Sequence, residues 1–211
     1  MSNIGPETLR LQELLLAVET AETPADSAAA IATIETRYQA RRTVLVGDME
    51  GFTARVLSDG VVPFITTIYR MRRLCTPLVA QGSGYLFKAD ADNLFAAFDE
   101  PIAAVGCALE MQRVLRADGR GRTAALRIGL GVGIATGDVL AIGHEDVWGT
   151  AINVASKLGE DVACSGEILV DEATLAIVRG APGLLDDVEV HPVASVGLSG
   201  VDLRYTRLTL R

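Results

Sequence analysis

Two carboxylates give the first chemical suggestion in this chain. Asp48 comes just after the apolar run Thr43-Val44-Leu45-Val46 and is followed by a turn at Gly51 and then a helix-like segment. A strand that delivers an acid to its tip, beside free backbone N–H groups, can hold a cation together with phosphate. Asp92 lies between two short apolar stretches, Tyr85-Leu86-Phe87-Lys88 and Asn93-Leu94-Phe95-Ala96-Ala97-Phe98, joined by Ala89-Asp90-Ala91-Asp92. This pattern reads as a hairpin with acids at its tip. Whether the two acids meet depends on the elements between and around them.

From Thr43 onward, strand-like and helix-like segments alternate. Residues 61–80 form an amphipathic helix with Ile65, Ile68, Tyr69, Leu74 and Leu78 on one face, and Pro77 marks its final turn or a kink. A second helix runs from Pro101 to Leu115. Strands follow at Leu126–Ala135, with Gly129, Gly131 and Gly133 admitting close backbone neighbours, and at Val139–Ile142. A helix at Trp148–Leu158, a strand at Glu167–Val170, a helix capped by Asp171 and a closing strand at Asp202–Leu210 complete the pattern. The order strand–helix–strand–strand–helix–strand is the βαββαβ core of an α+β, ferredoxin-like palm sheet with helices on one face. In that topology the tip of the first strand lies beside the turn of the central hairpin. Asp48 and Asp92, 44 positions apart, then converge. Two converging carboxylates are costly unless divalent cations neutralise them. Such a pair can activate a 3′-hydroxyl and clamp a triphosphate.

Ahead of this core, Leu9, Leu11, Leu14, Leu15 and Val18 recur at helical spacing, and Thr23-Pro24-Ala25-Asp26 has the form of an N-cap for a second helix reaching about Arg41. Residues 1–41 therefore read as an N-terminal helical appendage and 42–211 as the main domain. The appendage is either a dimerisation or signal-transmitting hairpin or a cover for one face of the domain.

The composition narrows the partners. The 211 residues are 49% hydrophobic, enough for a real core, and carry a net charge of -8. That charge argues against a nucleic-acid backbone as partner and leaves a small nucleotide open. No apolar run has the length of a membrane span and no leader sequence is visible, so a cytoplasmic protein is expected. Cys75, Cys107 and Cys164, odd in number and in apolar surroundings, read as reduced core thiols. His144 and His191 lack partners at metal spacing, and Arg70, Arg72 and Arg73 read as one polar helix face.

Three blocks resemble the class III nucleotidyl cyclases, the family of adenylate and guanylate cyclase catalytic domains, over about Arg42 to Leu210. Val46-Gly47-Asp48-Met49-Glu50-Gly51-Phe52-Thr53 is similar to the family's first metal motif. Lys88-Ala89-Asp90-Ala91-Asp92-Asn93-Leu94-Phe95-Ala96-Ala97-Phe98 is similar to its second. Asp146-Val147-Trp148-Gly149-Thr150-Ala151-Ile152-Asn153-Val154-Ala155-Ser156-Lys157 is similar to its third, Asp-x-Trp-Gly-x-x-Val-Asn-x-Ala-Ser-Arg. The resemblance implies that Asp48, Asp92 and the Met49 carbonyl hold two Mg²⁺ or Mn²⁺ ions, and that the backbone of Gly51, Phe52 and Thr53 cradles the β- and γ-phosphates. It implies that Lys88 and Asp146 read adenine, and that Asn153 orients the ribose while O3′ attacks the α-phosphate. ATP would yield 3′,5′-cyclic AMP and pyrophosphate. The family splits these two residue sets between protomers, and this chain has both, so a head-to-tail homodimer is implied. Asp146 could also cap the helix expected from Trp148.

The departures fall on phosphate binding. Lys157 stands where the family has Arg and loses the planar fork. Ser199 stands where the family has a phosphate-binding Lys, and Ala91 replaces a Gly before the second metal Asp. Two weakened phosphate contacts of ~1–3 kcal/mol each lower the rate by roughly 10- to 10⁴-fold. A weakly active or inactive regulatory or dimerisation domain, and a cyclase for GTP or a pyrimidine nucleotide, are the alternative readings.

Overall fold

The computed structural model describes residues 5–51, 60–123, 126–198 and 200–211. Helix α1 (Pro6–Glu19) and helix α2 (Pro24–Tyr38) form a hairpin that leads directly into strand β1 (Gln39–Met49). Thr23 caps α2 by accepting from the Asp26 amide at 3.1 Å, with Pro24 at the first helical position. Helix α3 (Val61–Gln81), strands β2 (Tyr85–Asp90) and β3 (Asn93–Phe98), helix α4 (Pro101–Asp118) and strand β4 (Leu130–Ile142) complete the βαββαβ core. Strand β5 (Asp146–Trp148), helix α5 (Thr150–Ser156), a π-helical turn (Lys157–Val162), strand β6 (Glu167–Asp171), helix α6 (Glu172–Val178) and the hairpin β7 (Val188–Leu198)–β8 (Val201–Leu210) follow.

The sheet order is β2-β3-β1-β4-β6-β8-β7, with β5 paired to β4. Its first four strands are those of the expected palm. Strand β1 is antiparallel to β3 on one edge and to β4 on the other, so its interior backbone groups are paired on both sides. Alternate side chains of β1 enter two cores. Leu45 and Met49 join Phe64, Met71, Leu109 and Met111 under α3 and α4, the helical layer expected on one face. Val44 and Val46 join Phe95, Val154, Ala155 and Leu158 under α5 and the π-turn on the other. With Val44, Leu45 and Val46 fully buried, β1 is fixed in place along its length.

Several boundaries differ from the sequence expectation, each for a tertiary reason. Helix α2 stops at Tyr38 because Gln39–Arg42 are drawn into the ladder with Gly137–Leu140. The two strands expected at 126–135 and 139–142 are one, since pairing to β1 carries β4 through Gly137. Trp148 belongs to β5, opposite Leu140, and the expected 148–158 helix starts only after Gly149. Strand β7 was not foreseen: Pro192 falls at the register shift between Val190 and Val193, on an edge strand where a missing N–H is tolerated. Cys75 and Cys107 are buried, and burial pushes both thiols up to about 12, but Cys164 is exposed and does not belong to the core. The supposed common face of arginines is also divided: Arg70 reaches the Leu126 carbonyl and Asp118, whereas Arg72 reaches the β2–β3 turn.

A buried chain of hydroxyls joins three elements. Thr43 on β1 lies 2.9 Å from the Thr136 hydroxyl on β4, which lies 2.7 Å from that of Thr174 on α6. Asp171 caps α6 by accepting from the Thr174 amide at 2.9 Å. Replacing Thr136 by Val keeps the shape and strands both neighbouring hydroxyls. Urea denaturation should show Thr136→Val destabilised by about 1–3 kcal/mol and Thr136→Ser by less.

Candidate active site

Asp48 lies one residue before the end of β1, opposite Gly131 of β4. Its neighbour Gly47 pairs with Leu94, so the β2–β3 turn carrying Asp92 stands beside it. The turn closes with Ala91 at φ 43°, a left-handed conformation that costs an alanine about 1–2 kcal/mol. Arg72 of α3 donates to the Ala91 carbonyl at 2.5 Å and holds the turn from outside. Asp92 is 8% exposed. Burial raises its pKa, while its own amide and the Arg72 guanidinium pull it back.

Burial chiefly, then the charges of Asp92 and Glu160, raise Asp48 to about 6 against the bonding of the Met49 amide; Asp161 adds to the rise. Glu160 and Asp161 come from the π-turn, which sits hard against the sheet. A Cβ at Gly159 would stand 2.5 Å from the Val46 carbonyl oxygen, and one at Gly133 would stand 2.2 Å from that of Ala155. The two glycines let helix and sheet backbones meet, and the π-turn then presents its acids toward Asp48. Neither Arg72 nor these acids stood out in the sequence.

The remaining candidates are divided: Lys88 lies on the α5 face of the sheet with Asp48, whereas Asp146 stands at the far end of β4. A bulge in β2 between Leu86 and Lys88 sets Lys88 opposite Phe95, on the α5 face of the sheet. Its ammonium stands 5.1 Å from the Phe95 ring centroid and 3.6 Å from Asp90. Asp146 starts β5 opposite Ile142, and its Oδ1 accepts from the Val147 amide at 2.8 Å. It does not cap α5, whose N-cap is Gly149. Strands β2 and β5 approach each other, and Tyr85 stacks on His144 at 4.1 Å between ring centroids. His144 thus has a partner, as does His191, 2.9 Å from the Thr209 hydroxyl. Asn153 is exposed on α5 and lines a cavity of about 650 Å³ with Thr150, Asp171, Leu198 and Arg204. Lys157 opens the π-turn and pairs with Asp161 at 2.9 Å. Gly51 is exposed in a left-handed turn, φ 84°. Phe52, Thr53 and Ser199 lie outside the described residues.

Asp48 and Asp92 are thereby brought together, and the strands carrying Lys88 and Asp146 are brought together. Asp48 and Asp146, however, are opposite Gly131 and Ile142, at the two ends of β4. Among the described residues no group of three or more His, Cys, Asp or Glu is arranged to hold a metal ion. Two mutually repelling, desolvated carboxylates beside a backbone turn still form a donor set that divalent cations fit.

No family model matches the chain. Over 145 residues it is 32% identical to proteins named adenylate cyclase from Mycobacterium tuberculosis and Mycobacterium bovis, a match covering 62% of this chain and 32% of each relative. The chain thus spans about a third of the length of the curated relatives it matches. It is similar to the solved adenylate/guanylate cyclase/hydrolase from Silicibacter pomeroyi, at 28% identity and TM-score 0.65 over 81% of this chain and 97% of that one. The guanylyl cyclase Cya2 (23% identity, TM-score 0.65, 82% and 92% covered) and the adenylyl cyclase CyaB from P. aeruginosa (18%, 0.68, 81% and 94%) share the fold. The fold is similar to that of the adenylate/guanylate cyclase catalytic domains. The structural neighbours of the chain are class III adenylate and guanylate cyclase catalytic domains. No helix among the described residues is long and apolar enough to cross a membrane.

The raised Asp48 has a measurable consequence. Its folded-state pKa, about 6, lies above the ordinary 3.8, so metal-free stability is lost as pH rises through that interval and stays lost at neutral pH. Discounted for partial exposure, the loss is about 1–2 kcal/mol. With divalent cations chelated, Asp48→Asn should be more stable than the parent at pH 7 and equal to it near pH 4, as read by thermal melts across that range. Mn²⁺ should raise the melting temperature of the parent and not of the variant.

Proposed function

We propose that this chain converts ATP to 3′,5′-cyclic AMP and pyrophosphate as a head-to-tail homodimer with two Mg²⁺ or Mn²⁺ ions per site. The observation that carries this reading is the convergence of Asp48 and Asp92 beside the end of β1, where burial holds both carboxyls above their ordinary range and like charge raises Asp48 further. The mycobacterial relatives named adenylate cyclase add support for the substrate. When bound, the cations would neutralise the triphosphate and activate the 3′-hydroxyl. Asp48, Asp92 and the Met49 carbonyl would hold them, and the backbone of Gly51, Phe52 and Thr53 would take the β- and γ-phosphates.

The base is read by complementarity. The Lys88 ammonium donates to adenine N1 and Asp146 accepts from the 6-amino group, whereas guanine offers an N–H and a carbonyl at those positions. Asn153 orients the ribose so that O3′ lies in line with the α-phosphorus. The new O3′–P bond forms as the bridging P–O bond to the β-phosphate breaks, and the hydroxyl proton leaves to water. Asp48 and Asp146 at opposite ends of β4 suit a site shared by two antiparallel copies, each supplying one half. Exposed Trp148 and Val201, 60% and 69% accessible, suit the face between copies. In this reading residues 42–211 form the cyclase domain and 1–41 a dimerisation or transducing segment.

The test is incubation of the purified protein with ATP, GTP, CTP and UTP, each with Mg²⁺ and with Mn²⁺. ATP with Mn²⁺ should give cyclic AMP, and Asp48→Ala should reduce the rate by about 10²-fold or more. No cyclic product from any nucleotide would overturn the cyclase reading, and a preference for GTP would remove the roles given to Lys88 and Asp146.

The Lys157–Asp161 pair favours a second reading, a weakly active domain. A lysine engaged by a carboxylate 2.9 Å away is withheld from a phosphate, and it lacks the fork of arginine. Lys157→Arg should then raise kcat about 3- to 10-fold with little change in KM, measured by initial rates at saturating ATP. An unchanged kcat would place Lys157 outside the reaction.

A further inference from the structure

We infer that Glu145 is a positioning residue that ties the N-terminal helical hairpin to the base-reading end of the site, so that α1 sets where Asp146 stands relative to Lys88. The inference rests on the proposed roles of Asp146 and Lys88.

Helix α1 starts at Pro6 after Gly5, and Gly5 has no side chain to cap it. The first N–H groups of a helix need acceptors. Here the acceptor comes from the turn between β4 and β5. Glu145 Oε1 accepts from the Glu7 amide at 3.2 Å, and Oε2 accepts from the Thr8 amide at 2.8 Å and the Thr8 hydroxyl at 2.7 Å. A Cβ on residue 5 would stand 2.0 Å from the Glu145 carboxyl carbon, so only glycine leaves room for this contact. These donors hold the Glu145 carboxyl below the usual carboxylate range.

The same turn is gripped on its other sides. The Glu145 amide donates to the Ile142 carbonyl at 2.9 Å, and Ile142 is fully buried with Leu11, Ile34 and Tyr38 of the hairpin. Glu7 in turn pairs with Arg37 at 3.0 Å and accepts from the Tyr38 hydroxyl at 3.2 Å, locking α1 to α2. His144, between these contacts, stacks on Tyr85, the first residue of the strand that carries Lys88. Asp146 follows Glu145 directly. A shift of α1 is therefore passed to Asp146 through one residue, while Lys88 is held by its own strand. A plain helix cap would stabilise α1 and go no further, and that difference can be measured.

The full chain is compared as Glu145→Ala, Glu145→Gln, Thr8→Val and, as a control on an exposed α1 ion pair, Glu13→Ala. Amide exchange is read at Thr8 and at Val147, whose N–H reports the Asp146 carboxylate. Glu145→Ala should lower protection at both amides by about tenfold. It should also raise KM for ATP about 3- to 10-fold, leave kcat within about twofold and lower the ATP-to-GTP ratio of kcat/KM by a similar factor. Thr8→Val should move the same quantities by less, Glu145→Gln should restore part of each, and Glu13→Ala should change none. Loss of protection at Thr8 with Val147 and the nucleotide ratio unchanged would reduce Glu145 to a helix cap and overturn the inference. If the parent turns over no nucleotide, the functional reading fails, and the coupling of α1 to Asp146 stands or falls on the Val147 exchange alone.

Discussion

Everything at the proposed metal end depends on a strand that has no freedom to move. β1 is hydrogen-bonded on both edges and its central residues are buried on both faces. A side chain at the end of such a strand cannot retreat from its surroundings, because any shift would break ladder bonds and open cavities in two cores at once. Asp48 is therefore kept near Asp92 despite the cost of desolvating like charges. The stability that offsets this cost comes from apolar burial elsewhere in β1, at Val44, Leu45 and Val46. The protein thus holds a standing deficit of positive charge at one place, which the proposed divalent cations would fill.

The second constraint is the contact between Gly133 and Gly159. Ordinary side chains there would hold helix and sheet apart. With glycine on both, the chain after α5 lies on the β1–β4 ladder and widens into a π-turn, a geometry common at functional sites. Lys157, Glu160 and Asp161 all leave from this turn. Lys157 finds Asp161, and Glu160 and Asp161 both raise the pKa of Asp48, so the turn adds both signs of charge beside the strand end. Lys157 belongs to this local balance: a compact ammonium can be satisfied by one carboxylate, where a guanidinium has donors to spare.

The sequence showed the acids, the order of the core elements and the pairing of the first strand with the central hairpin, because these rest on local apolar patterning and on one topological rule. It did not show features decided by distant partners. The bulge that turns Lys88 onto the Phe95 face depends on cross-strand register. β5 is three residues long and exists only through its pairing to β4. The π-turn follows from close backbone approach, Arg72 reaches Ala91 from a helix that reads as uniformly polar there, and Cys164 sits in an apolar stretch yet faces outward. Glu145 carried no signal at all, since its three donors lie 137 and 138 positions away.

The two ends of β4 are governed by different parts of the chain. The end near Gly131 is set by β1 and the π-turn, elements locked into the main cores. The end near Ile142 is set by the α1–α2 hairpin, whose contacts with the sheet include a small apolar cluster and the Glu145 carboxylate. Small clusters open at lower free energy than main cores. A signal acting on the hairpin would then reach the proposed base-reading end before the proposed cation-binding end, which the main cores hold. In a head-to-tail pair each proposed site takes one end from each copy, so loosening one hairpin would alter the base-reading half that this copy lends, without touching the carboxylates of the other copy proposed to hold the metals there.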